Sequence, residues 1–164
     1  MESKDKVINN AYKTKKTLQS SNYNKTLITH LVVINDDVIS LAASNKLSAQ
    51  EINDRSFEHL DIILNETNQK IGSISFDYYT PSHELGNVSY VIKEPFQHKG
   101  YATRALKLLI NLLKNNNFKG NKDLYFWVSY YNEYSKKVVL NNGGEIISGG
   151  DKDAKSPYTL RIKI

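Results

Sequence analysis

"YVIKEPFQHKGYATRAL", Tyr90 to Leu106, decides the reading of the fold. A β-type run stops at Pro95, passes through Gln97-x-x-Gly100-x-Ala102, and enters a helix whose first turn carries no carboxylate. The first four backbone N–H groups of any helix have no partner inside it, and the helix dipole places partial positive charge there. A helix start free of acidic side chains, preceded by a glycine that lets another group come close, is suited to an anion. Backbone N–H groups from His98 to Thr103 are the expected donors. Taken alone, Gly100 reads equally well as an ordinary turn glycine between a strand and a helix.

Outward from this junction, "ATRALKLLINLLKNN" places Leu106, Leu109, Ile110 and Leu113 on one face at helical spacing, and the Asn run before Phe118 and Gly120 marks the helix end. "DLYFWVSYY" follows as a strand, so strand, crossover helix and strand form a right-handed unit with its two strands parallel. Upstream, "HLDIIL", "KIGSISFDYY" and "NVSYVIK" are strands joined by turn-rich segments, an antiparallel meander. Downstream, Asn132 caps a short helix, "EYSKKVVLNN", stopped by Gly143 and Gly144. Strands "GEIIS" and "YTLRIKI" close the chain, the second with Tyr158, Leu160, Ile162 and Ile164 on one face. Before the meander, "TLITHLVVIND" reads as a strand, residues 37–45 as a helix, and "SAQEINDRSFEHL" as a second helix with Ser48 and Glu51 as its capping box. Residues 1–24 form a polar N-terminal extension, disordered or helical, and 25–164 a single domain of mixed α/β class with a mostly antiparallel sheet.

With 164 residues, 40% of them hydrophobic, the chain has material for one sizeable core. Cysteine is absent, which excludes disulfides, thiolate zinc sites and covalent catalysis through a thiol. Histidines 30, 59, 83 and 98 are dispersed without ligand spacing, so no metal is expected. The N-terminal stretch has no apolar core of signal-peptide length and no run is long enough to span a bilayer, so a cytoplasmic protein without membrane association is the expectation. The formal charge of +5 fits nucleic acid, an acidic substrate or a polyanionic cofactor. Only Arg55, Arg104 and Arg161 supply guanidinium groups and the lysines are scattered, so nucleic acid is not expected as the main ligand. No P-loop and no Gly-x-Gly-x-x-Gly after a strand is present, so nucleoside triphosphate and dinucleotide sites lack their fingerprints.

Two separated motifs together carry more than either alone. "GNVSYVIKEPFQHKGYATRALKLLINLLKNNN" and "LYFWVSYYNEYSKKVVLNNGG", Gly86 to Gly144 with one short gap, resemble the GNAT superfamily of N-acetyltransferases, closest to the branch of ribosomal-protein N-terminal acetyltransferases. The resemblance implies acetyl-CoA as cosubstrate, its pyrophosphate held by the loop Gln97, His98, Lys99, Gly100, Tyr101 and Ala102, with Thr103 next to it. It implies two parallel strands that splay apart, helices on both faces, and a pantetheine arm that hydrogen-bonds main-chain groups near Val91 and Ile92. The family's Asn-x-x-Ser is Asn132 and Ser135, the first touching pantetheine and the second lying near the thioester sulfur. Lys99, Lys136 and Lys137 read either as phosphate partners or as solvated surface lysines. The usual family tyrosine, one turn after the serine, is replaced by Val139. That leaves Ser135 or a nearby tyrosine such as Tyr134 as proton donor, while Ser135 reads equally as a helix residue bonding its own backbone. Glu84 and Asp77 are the candidate bases, each with an alternative reading as turn cap or solvent-facing residue. Direct acetyl transfer to an amine acceptor, of a small molecule or a protein N-terminus, is the implied reaction. A catalytically weak acyl-CoA-binding module is the alternative. Phe76, Tyr78 and Tyr79 are expected to shape the acceptor pocket or the core, and a homodimer is common in the family.

Overall fold

The structure is a computed structural model and describes residues 31–43, 57–77, 87–115 and 123–164. Strands β1 (Leu31–Asn35), β2 (Ile39–Ala43), β3 (Phe57–Leu64), β4 (Gln69–Asp77) and β5 (Val88–Ile92) form one sheet in that order. Every neighbouring pair in it is antiparallel. Helix α1 (Tyr101–Asn115) leads to β6 (Asp123–Val128), helix α2 (Glu133–Leu140), β7 (Glu145–Gly149) and β8 (Tyr158–Lys163). These last three strands form a second antiparallel sheet, ordered β6-β8-β7. The helices after residue 100 and the closing strands lie where the sequence patterns put them, as does the meander except that β3 takes in Phe57–Leu60, the end of the helix expected over "SAQEINDRSFEHL", whose other residues lie outside the described ones. The extension 1–24, Ser48 and Glu51, Tyr78 and Tyr79, Glu84, Phe118 and Gly120 lie outside the described residues.

Residues 39–43 correct the sequence reading. The helix expected over 37–45 is strand β2 there, paired on one side with β1 and on the other with β3. Leu and Ala favour helix locally, but two ladders and the burial of Ile39 and Leu41 override that preference. Asp36 sets the turn: its Oδ1 accepts the N–H groups of Val38 and Ile39, each at 2.8 Å. Its Oδ2 accepts from Arg104 of α1 at 3.0 Å, tying the hairpin to the helix start. Burial raises the Asp36 pKa, but the two backbone N–H bonds and Arg104 outweigh it and hold the carboxyl below its ordinary value of 3.8. Its contribution is therefore complete above that ordinary value and is lost as pH falls through the lower, folded value. Asp36→Ala is expected to cost about 1–2 kcal/mol at neutral pH, because two buried-side N–H groups lose their acceptor. Urea unfolding at pH 7 and pH 3 checks both statements: the gap between variant and wild type should shrink at the lower pH.

Helix α1 buries Ala105, Leu106, Leu108, Leu109, Ile110 and Leu113, a wider face than the sequence spacing suggested. Each of the five large side chains contributes about 1.5–3 kcal/mol of gross burial energy. The helix packs on β1, β2 and β5, whereas α2 packs on β6 and β8, and the two helices touch. Phe76, assigned to pocket or core, is fully buried in the core with Ile71, Ile74, Leu124 and Phe126.

Between the sheets, β5 and β6 are the pair expected to be parallel, and no ladder joins them among the described residues. Asn87, buried just ahead of β5, holds them together at one point. Its N–H donates to Tyr125 O at 3.0 Å, its Oδ1 accepts from Tyr125 N at 2.8 Å, and its Nδ2 donates to Asp123 O at 3.3 Å. Beyond that clamp the edge of β5 is left to face a gap.

Candidate active site

The gap opens into a cavity of ≈ 400 Å³, within the range of small-ligand sites. One wall is β5, with Val91 and Ile92. The floor of the loop and the start of α1 add Gln97, His98, Gly100, Tyr101, Ala102 and Thr103. The opposite wall is α2 and its cap, with Asn132, Ser135 and Lys137.

Local geometry explains how the loop is held. Lys93 N donates to Ile71 O at 2.8 Å and its Nζ to Lys70 O at 2.7 Å, which pins the end of β5. Pro95 lies in a single 3₁₀ turn, Glu94–Phe96, that redirects the chain. Gln97 Nε2 donates to Ile92 O at 2.9 Å and its N–H to Glu94 O at 3.2 Å, so this residue braces the strand end and closes the turn. His98 and Gly100 then both adopt left-handed backbone, φ 60° and 80°. That conformation costs a non-glycine residue energy and turns consecutive N–H groups towards one side, a concave donor set. A Cβ built on Gly100 meets nothing within 4 Å, so the space before this residue is open.

The first intrahelical bond of α1 is Arg104 N to Gly100 O at 3.1 Å. The N–H groups of Tyr101, Ala102 and Thr103 precede it, and no acidic residue occupies the first turn. Lys137 lines the same cavity, whereas Lys99 stands outside it with its ammonium 5.8 Å from the Phe96 ring. Lys136 is turned away, bonded to Glu133 at 2.6 Å and lying over Tyr158, and the Glu133 bond raises its pKa. Arg104 is held by Asp36 and Asp37, each at 3.0 Å.

Across the cavity, Asn132 Oδ1 accepts from Ser135 N at 3.0 Å, the N-cap of α2. The Asn132 amide group is left for the cavity. Ser135 Oγ lies 2.7 Å from the hydroxyl of Tyr90, which also donates to Ser135 O at 3.1 Å. Burial raises the Tyr90 pKa, with the Ser135 bond acting against it. Tyr134 also lines the cavity, its ring edge-on to His98 with centroids 4.4 Å apart. Val139, where the tyrosine was missed, is fully buried, and its Cγ1 lies 2.6 Å from where a Cβ on Gly144 would be. Gly144 therefore leaves the room that the buried Val139 side chain fills. Asp77 is not among the residues lining the cavity, and Glu84 lies outside the described residues. Sequence reasoning missed Tyr90 and Asn87. The signal for Tyr90 was the alternation Val88, Tyr90, Ile92, which puts it on the inner face of β5.

Residues 19–145 match the acetyltransferase (GNAT) domain family. The chain belongs to that family. It is thus a GNAT acyltransferase by sequence, and solved structures share its fold at low identity. A putative ribosomal-protein-serine acetyltransferase from Vibrio cholerae is 15% identical with a TM-score of 0.58, over 80% of this chain and 97% of that one. A ribosomal L7/L12 α-N-protein acetyltransferase is 14% identical with a TM-score of 0.62, over 81% and 98%. A spermidine N-acetyltransferase from Vibrio cholerae, solved with CoA and spermine, is 14% identical with a TM-score of 0.54, over 70% and 69%. No curated protein sequence matches the chain. Among the described residues of this GNAT domain, no group of three or more potential metal ligands occurs and no helix is long and apolar enough to cross a membrane.

Proposed function

We propose that the chain binds acetyl-CoA in the cavity between β5, α1 and α2, and transfers its acetyl group directly to a primary amine of a small molecule or a protein N-terminus. The observation that supports this best is a single cavity that joins an acid-free helix start to the unladdered edge of β5. The two parts suit two parts of one ligand. Backbone donors of Tyr101, Ala102 and Thr103, with Lys137 nearby, suit a pyrophosphate, and the open approach at Gly100 admits it. Main-chain groups near Val91 and Ile92, apart from the Ile92 carbonyl that Gln97 Nε2 occupies, suit an extended amide chain, because a strand edge offers the donors and acceptors that a further strand would use. We place this activity in a single domain over residues 25–164.

Acetyl-CoA supplies an activated thioester when bound. The chain's own residues hold and polarise the reacting groups. A β5 main-chain N–H stabilises the developing oxyanion without any reorganisation at the moment of reaction. Ser135 Oγ donates its proton to the leaving sulfur, and the Asn132 amide steadies the arm beside it. The attacking amine must be neutral. An α-amino group, with a pKa of about 8, is partly neutral at pH 7, whereas an aliphatic amine near 10.4 needs a base. Glu84 is the residue we assign to that task.

A thiol-release assay with acetyl-CoA tests the reading against a panel of N-terminal peptides, polyamines, amino acids and aminoglycosides. Turnover with at least one primary amine, giving an N-acetylated product by mass spectrometry, is the expected result. Tight acetyl-CoA binding with no turnover on any amine overturns catalysis and favours the acyl-CoA-binding module that Val139 brings to mind.

A further inference from the structure

We infer that Tyr90 is a positioning residue for the transfer step: its hydroxyl, reaching from β5 to α2, sets the direction in which Ser135 gives its proton. The inference rests on the reading of Ser135 as donor to the leaving sulfur. Tyr90 has one O–H and two acceptors within reach, Ser135 O at 3.1 Å and Ser135 Oγ at 2.7 Å. The two arrangements differ in where the serine proton goes. With Tyr90 donating to the carbonyl oxygen, the Ser135 O–H donates back to Tyr90 and points at β5. With Tyr90 donating to Ser135 Oγ, the serine proton is released to an acceptor in the cavity.

A rotation about the Tyr90 C–O bond interconverts the two arrangements, and no covalent bond to carbon is made or broken. Negative charge on the leaving sulfur favours the second, because a hydroxyl that accepts a hydrogen bond becomes a stronger donor. In the transfer step the N–C(acyl) bond forms as the S–C(acyl) bond breaks, the attacking nitrogen gives up its surplus proton to Glu84 or solvent, the leaving sulfur takes the Ser135 proton, and the proton released from nitrogen returns through solvent to the serine. Tyr90 stays protonated throughout; burial, which raises its pKa, supports that role. The Ser135 backbone is fixed independently by the Asn132 cap at 3.0 Å, so the hydroxyl direction is the freedom left for Tyr90 to remove. Val139 cannot do this work, since it has no hydroxyl and is fully buried.

The test is a double-mutant cycle on the full chain with the best amine found, using Tyr90→Phe, Ser135→Ala and the pair. Circular dichroism and acetyl-CoA titration calorimetry accompany the kinetics. Tyr90→Phe should fold, bind acetyl-CoA within about twofold of wild type, and lose about tenfold in kcat, the size of one hydrogen bond. Ser135→Ala should lose about a hundredfold. The double variant should be no slower than Ser135→Ala alone, because Tyr90 acts only through the serine. A purely structural tyrosine gives losses that multiply, or weakens acetyl-CoA binding as much as it lowers kcat, and either result overturns the inference. Active wild type with Tyr90→Phe at the wild-type rate overturns it while leaving the transferase reading intact. Absence of turnover in wild type overturns both.

Discussion

Thr103→Glu is expected to abolish acetyl-CoA binding and to leave the fold as stable as wild type or slightly more so. Thr103 stands third in α1, after Gly100, Tyr101 and Ala102, and lines the cavity without being fully buried. A glutamate at this position suits the helix itself. Its carboxylate meets the positive end of the dipole and free N–H groups, a gain of about 0.3–1 kcal/mol. The same carboxylate takes the donors that a pyrophosphate needs and repels its charge. The Thr103 carbonyl oxygen still accepts from Asn142 Nδ2 at 3.2 Å, so the link between α1 and the turn after α2 is untouched. A loss of at least about a hundredfold in affinity, roughly 2.7 kcal/mol, is the expected outcome in calorimetry. This variant separates binding from folding more cleanly than a change at Gly100, whose left-handed φ of 80° strains any side chain. Wild-type affinity in Thr103→Glu would place the anion elsewhere.

Gly72→Ala is expected to destabilise the protein by about 2–3 kcal/mol and to weaken acetyl-CoA binding with it. Gly72 of β4 pairs with Ile92 of β5, and a Cβ there would fall on the carbonyl oxygen of Val91, with Ile92 Cδ1 at 3.1 Å and Ile92 Cα at 3.2 Å. The first of these is backbone, so a rotamer change cannot relieve it. β5 must move, and β5 is the cavity wall. For a chain of this size the melting temperature should fall by about 5–10 °C. Thermal unfolding of Gly72→Ala at the wild-type temperature, with unchanged acetyl-CoA affinity, would show that the close approach of the two strands is unimportant.

How much of this was legible in the sequence follows the range of the forces involved. The α1 face was legible because Leu106, Leu109, Ile110 and Leu113 repeat at helical spacing, and burial of that face sets the helix against the sheet. The turn into α1 and the cap of α2 were legible because their signals are local: Gly100 with no acid in the first turn, and an N-cap asparagine at 132. Strand β2 was misread because "ISLAA" carries no strand signature of its own; its state is decided by β1 and β3 on either side. The gap between the sheets depends on Asn87 replacing a ladder with three side-chain and main-chain bonds, a long-range device with no local pattern. The Tyr90 to Ser135 contact spans 45 residues in sequence. Alternation placed Tyr90 on the inner face of its strand, but only the packing of α2 against β6 and β8 brings the serine to it. Val139 also has a packing role that no local pattern shows, because its Cγ1 fills the space that a Cβ on Gly144 would take.

The central claim is that the cavity is an acetyl-CoA site, and titration calorimetry of the full chain tests it most directly, with acetyl-CoA, ATP and NAD measured side by side. Saturable binding of acetyl-CoA at one site per chain, with ATP and NAD at least about a hundredfold weaker, is the result the account predicts. Absence of acetyl-CoA binding, or equal binding of all three, would contradict it and return Gln97 to Thr103 to the status of an ordinary turn.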